Sequence, residues 1–73
     1  MIMRLDLHGV KHHEVSRRVD EFIWETMQKK KTQAVIITGK STPMKQLVKD
    51  CLKDYDAKCF DLFDGGSLVV NLF

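Results

Sequence analysis

Seventy-three residues, 44% hydrophobic and 30% charged, describe one domain, expected over residues 1–73, because so short a chain buries only about 60% of its unfolded surface and cannot hold two cores. No run nears the ~18 apolar residues of a membrane span, and no signal-like segment precedes the first expected strand. The two cysteines, Cys51 and Cys59, then read as free thiols of a cytoplasmic protein.

A net charge of +2 is too small to name a partner, so its distribution matters more. Lys29, Lys30 and Lys31 cluster, Lys45, Lys49 and Lys53 repeat at helical spacing, and Arg17, Arg18 and Lys40 add to the positive side. Such a pattern serves either a solvated helix face or a phosphate-binding surface.

Residues 2–7 alternate in polarity, with Met3, Leu5 and Leu7 on one side and Arg4 and Asp6 on the other, as in a half-buried strand. His8-Gly9 ends it. From about Lys11 to Lys30 the apolar residues Val15, Val19, Phe22, Ile23 and Met27 form the stripe of a first helix, and Trp24 falls roughly opposite that stripe. Ala34–Thr38 is a β-branched run that predicts a second, more buried strand. Pro43 suits the first residue of a second helix over about 43–54, with Thr42 or Ser41 as its N-cap. Lys58–Phe63 and Leu68–Leu72 are two further strands, joined by the hairpin signal Asp64-Gly65-Gly66-Ser67.

The order is therefore βαβαββ. Strand–helix–strand connections within one sheet are almost always right-handed crossovers between parallel strands, so strands one, two and three should point the same way. The turns after Leu7, Thr38 and Phe63 then share one sheet edge, where open α/β sheets generally bind ligands.

The stretch Ile36-Ile37-Thr38-Gly39-Lys40-Ser41-Thr42 resembles the end of a nucleotide-binding P-loop. That loop needs a glycine five residues before Gly39, and the position holds Ala34, inside the second strand. What remains is a helix start able to favour a single anionic group. His13-Glu14 suggests a zinc-binding H-E-x-x-H pattern, but Arg17 stands where the second histidine belongs, so no metal site is expected from it.

The sharpest constellation is Asp6-x-His8, since residues two apart on a strand emerge on one side. Either the carboxylate orients the imidazole for proton transfer, or Asp6 caps the turn while His8 lies beside it. Trp24 could stack on a base, join a protein interface or lie under lysine stems.

Leu5-Asp6-Leu7-His8-Gly9 before an amphipathic helix, Thr38-Gly39-Lys40 after the second strand, and a Gly-Gly turn before the closing strand together resemble the Smr (small MutS-related) domain over nearly the whole chain. The resemblance implies a two-layer α+β sandwich with a mixed four-stranded sheet and two helices, similar to the C-terminal domain of translation initiation factor three. It also implies an endonuclease that nicks DNA or cleaves RNA, including messenger RNA at ribosomes, and RNA is the favoured substrate because its 2′-hydroxyl offers an internal nucleophile that a histidine can activate. By position Asp6 and His8 match the family's catalytic pair. Gly9, Thr38, Gly39, Lys40, Ser41, Lys45, Gly65 and Gly66 are the expected phosphate-contacting set. Ser41 stands where the family's loop commonly ends in glycine, so the loop either cuts or only holds.

The expected partner is nucleic acid, with the ribosome a further candidate, no membrane, and a monomer or weak homodimer. Magnesium or manganese is an optional cofactor rather than a required one. The alternative is a non-catalytic module that binds nucleic acid or ribosomes through its lysines.

Overall fold

A computed structural model describes residues 3–62 and 65–72. The chain runs β1 (Met3–Asp6), α1 (His12–Gln28), β2 (Gln33–Ile37), α2 (Thr42–Lys53), β3 (Lys58–Asp61) and β4 (Ser67–Asn71). This is the expected βαβαββ order in an α+β fold with a mixed sheet. Boundaries differ from the sequence expectation by one or two residues, and of the Asp64-Gly65-Gly66-Ser67 turn and the expected third strand, Phe63 and Asp64 lie outside the described residues.

The sheet order is β1-β2-β4-β3, with β1 and β2 parallel and both pairings of β4 antiparallel. Strands β1, β2 and β3 therefore point the same way, as the crossover argument requires. What sequence order did not reveal is that β4 inserts between β2 and β3. Its residues Leu68 and Val70 are fully buried, and an interior position covers such a strand better than an edge.

One face of the sheet carries the core. Ala34 and Ile36 of β2, Leu68 and Val70 of β4 and Leu7 beyond β1 meet Val15, Val19, Phe22 and Ile23 of α1 and Met44, Val48 and Leu52 of α2. The α1 stripe ends with Met27, half-buried against the core, and takes in Thr26, fully buried, as well. Thr26 tolerates burial because its hydroxyl donates to the Phe22 carbonyl at 2.8 Å. The cysteines are half-buried, Cys51 on α2 and Cys59 on β3, and burial pushes the Cys59 thiol up although Lys49 opposes the shift.

Both helices end in the same way. Lys30 and Asp56 adopt left-handed backbone at φ 57° and 55°. The Lys31 N–H reaches the Thr26 carbonyl and the Lys30 N–H that of Met27, while Ala57 and Asp56 do the same with Leu52 and Lys53. These are Schellman closures, which satisfy the last carbonyls of a helix and reverse the chain into the next strand. No helix is long and apolar enough to cross a membrane among the described residues.

Candidate nucleic-acid interface

The C-terminal edge of the parallel strands gathers the β1–α1 and β2–α2 turns. Leu7 extends the β1–β2 ladder with its N–H on the Ile37 carbonyl at 2.7 Å, and its own carbonyl accepts from Val10 at 3.0 Å. This closes a four-residue turn with Gly9 third, at φ +84°, the position where a type II turn needs glycine. His8 occupies the second position and is solvent-exposed.

The Asp6 carboxylate accepts the His8 backbone N–H at 2.9 Å. Of the two readings of Asp6-x-His8, this bond is the turn cap, an Asx turn that fixes where the histidine leaves the strand. The imidazole lies against the neighbouring turn instead. A Cβ built on Gly39 would stand 2.9 Å from His8 Cδ2, and Gly39 has φ +70°. Glycine is thus demanded twice at 39, by backbone conformation and by the ring above it.

A second clamp comes from the β3–β4 hairpin. The Gly66 carbonyl accepts the N–H groups of Thr38 at 2.8 Å and Gly39 at 3.0 Å. The Thr38 hydroxyl donates to the Gly39 carbonyl at 2.8 Å, and the residue is only 2% exposed. Thr38, Gly39 and Gly66, expected from sequence to touch phosphate, spend these donors and this acceptor on holding the turn. Gly65, at φ +72°, serves the hairpin bend.

The donors left facing solvent come next in the chain. Among the described residues the N–H groups of Lys40 and Ser41 have no partner, and neither the Lys40 nor the Lys45 ammonium is in an ion pair. Ser41 is the N-cap of α2: its hydroxyl accepts the Met44 N–H at 3.2 Å, at an unstrained φ of −80°. A side chain here therefore strains nothing and secures the helix start.

Charge is sorted unevenly. Of the lysines repeating along α2, Lys49 pairs with Asp61 and Lys53 with Asp50. The Lys29–Lys31 cluster ends α1, about 25 Å of helix away from the His8 turn, and Lys29 pairs with Glu25. It cannot share a phosphate with Lys40. Trp24 is 65% exposed, as expected. Its neighbours one turn away on α1 include Asp20 and Glu21, an acidic rim unsuited to stacking a nucleic-acid base.

Among the described residues no three His, Cys, Asp or Glu side chains group as ligands of a metal ion. The Asp6 carboxylate has Oδ1 engaged with the His8 N–H, so a magnesium or manganese ion there would rest on its other oxygen together with water and substrate phosphate. Sequence reading also passed over Phe60. It is 56% exposed, and the period-2 alternation of Lys58, Cys59, Phe60 and Asp61 would have placed it opposite the core.

At one strand edge this α+β sandwich gathers an exposed histidine, two backbone donors and two ammonium groups that have no partner among the described residues. The Smr domain family matches residues 5–61, and the chain belongs to that family, known in general for nucleic-acid binding and nuclease activity. None of the curated proteins and none of the solved structures compared with the chain matches it.

Proposed function

We propose that this domain is an endonuclease that cleaves RNA, with His8 as the proton-transfer group. The observation that supports it is the seating of the His8 ring on Gly39, beside the unpaired Lys40 and Ser41 N–H groups at the start of α2. A phosphodiester held by those N–H groups, the helix dipole and the Lys40 and Lys45 ammonium groups lies next to the imidazole. Neutral His8 takes the proton of the adjacent 2′-hydroxyl, and the oxygen attacks phosphorus. The bond to the 5′-oxygen breaks, that oxygen takes a proton from water, and a cyclic phosphate remains. Asp6 is a positioning residue in this scheme, and Gly9 provides the turn that presents His8.

The experiment is cleavage of an end-labelled RNA by wild type and His8→Ala, with and without magnesium or manganese, beside the same strand carrying 2′-deoxynucleotides. The expected result is RNA cleavage reduced at least a hundredfold by His8→Ala, with the deoxy strand intact. Equal cleavage by the variant, or of the deoxy strand, overturns the scheme. A non-catalytic nucleic-acid- or ribosome-binding module is the second reading, favoured by one observation: Asp6 bonds to backbone rather than to the imidazole. Salt-dependent binding without turnover would decide for it.

A further inference from the structure

The sheet has a second face, on which no helix packs. Val35, Val69 and Phe60 lie there: they alternate with the buried Ala34, Ile36, Leu68 and Val70, and none of them joins the core cluster. The pairings Arg4 with Val35, Val35 with Val69 and Phe60 with Val69 place four side chains in one row across the whole sheet. The row runs from a guanidinium through two valines to an exposed phenyl ring, over about 14 Å at ordinary strand spacing. Lys58 stands two residues from Phe60 on the same face, opposite Asn71. Neither Arg4 nor Lys58 is in an ion pair among the described residues.

We propose that this open face is a stacking platform for single-stranded RNA leaving the His8 turn, with an unpaired base on Phe60 and the backbone held by Arg4 and Lys58. The inference rests on the RNA reading above and narrows its substrate class to unpaired strands. Charge complementarity selects the occupant: two unpaired cations flank an apolar surface too small and too polar at its margins for an obligate protein interface. Continuity supports it as well. The row toward the turns holds Asp6 and Ile37 in register, and Phe60 is about 16 Å diagonally from the β1 end, a span that a few nucleotides cover. An aromatic ring on an open sheet accepts a base without regard to its identity, whereas a duplex offers it no free base face.

The test uses fluorescence anisotropy with a fluorescein-labelled ten-nucleotide oligoadenylate and a paired RNA duplex of equal length. Both are titrated with the 73-residue His8→Ala chain, so that the probe stays intact. Phe60→Leu keeps an apolar side chain and, at an exposed position, the fold, as circular dichroism will verify. It is expected to weaken single-strand binding about tenfold while duplex binding changes less than twofold, and Phe60→Trp should restore it. Unchanged single-strand affinity overturns the proposal, as does an equal loss for both probes. Should Phe60→Leu instead convert a sedimenting dimer to monomer with RNA affinity intact, the face belongs to a second copy and the proposal falls. His8-dependent cleavage with Phe60-independent binding removes the platform alone. Absence of any binding by the chain removes both readings.

Discussion

The two edges of the sheet both carry basic residues and differ in how their backbone is used. At the edge where α1 ends, backbone groups close Schellman turns, Lys29 meets Glu25, and the Tyr55 hydroxyl donates to Asp20 at 2.7 Å. At the His8 edge the backbone is also tied down, through Asp6 and Gly66, but it is tied so that the next residues are left over: the imidazole, the N–H groups of Lys40 and Ser41, and two ammonium groups. A run of lysines is therefore a poor guide to a binding surface. Spent and unspent backbone donors separate the two edges better, since Lys30 and Lys31 also stand outside any ion pair among the described residues.

The largest expected effect tests whether the crossing of the two turns organises the site. Gly39→Ala forces a side chain into left-handed backbone and into the His8 ring. It should lower RNA cleavage about a hundredfold and unfolding stability by about 1–2 kcal/mol, read from kcat/KM and urea titration. In a His8→Ala background the steric part of that stability loss should vanish while the backbone part stays. Equal losses in both backgrounds would mean that the ring and the glycine do not interact.

The next effect compares the edges directly. Lys40→Ala and Lys45→Ala should each weaken RNA binding several-fold and flatten the slope of log affinity against log salt by about 0.7. Lys31→Ala, at the other end of α1, should leave the slope unchanged. A common effect of all three would show a diffuse charge field in place of a site.

A smaller effect belongs to the far edge. Acceptance of its proton by Asp20, with burial adding to the effect, pushes the Tyr55 phenol up to about 12. Because the folded value is raised, the contribution of this bond is complete below the ordinary value near 10 and fades as pH rises toward 12. Tyr55→Phe should cost about 1 kcal/mol at neutral pH, with the gap from wild type closing across that window in urea titrations and with cleavage at neutral pH untouched.

The smallest effect concerns the residue that departs from the family pattern. Since Ser41 caps α2 at ordinary dihedrals, Ser41→Gly should change stability by only a few tenths of a kcal/mol and Ser41→Ala by about 1 kcal/mol. Cleavage by Ser41→Gly should stay within about threefold of wild type. A large gain would mean that the serine side chain holds substrate away.

Much of this was legible in the chain itself. Period-2 alternation located β1, period-3.6 stripes located the helices, a β-branched run located β2 and a hairpin signal separated β3 from β4, while Gly9 and Gly39 marked turns because left-handed backbone favours glycine. The insertion of β4 between β2 and β3 was not legible, because pairing partners depend on contacts distant in sequence. For the same reason the fate of Thr38 and Gly66 stayed hidden: a polar residue beside a glycine looks like a ligand contact until its hydrogen bonds are accounted for. The Lys29–Lys31 cluster looked functional because sequence proximity carries no information about which end of a helix faces a site.

The carbonyl of Gly66 has a consequence in time as well as in space. It is the acceptor for both Thr38 and Gly39, and it reaches them only once β4 has paired with β2. During synthesis the histidine turn and the helix it faces emerge well before this residue does, so a growing chain carries the His8 motif without the clamp that sets its neighbour. Order of assembly thus leaves the Gly39 turn, against which the histidine ring rests, without its acceptor until β4 has joined the sheet.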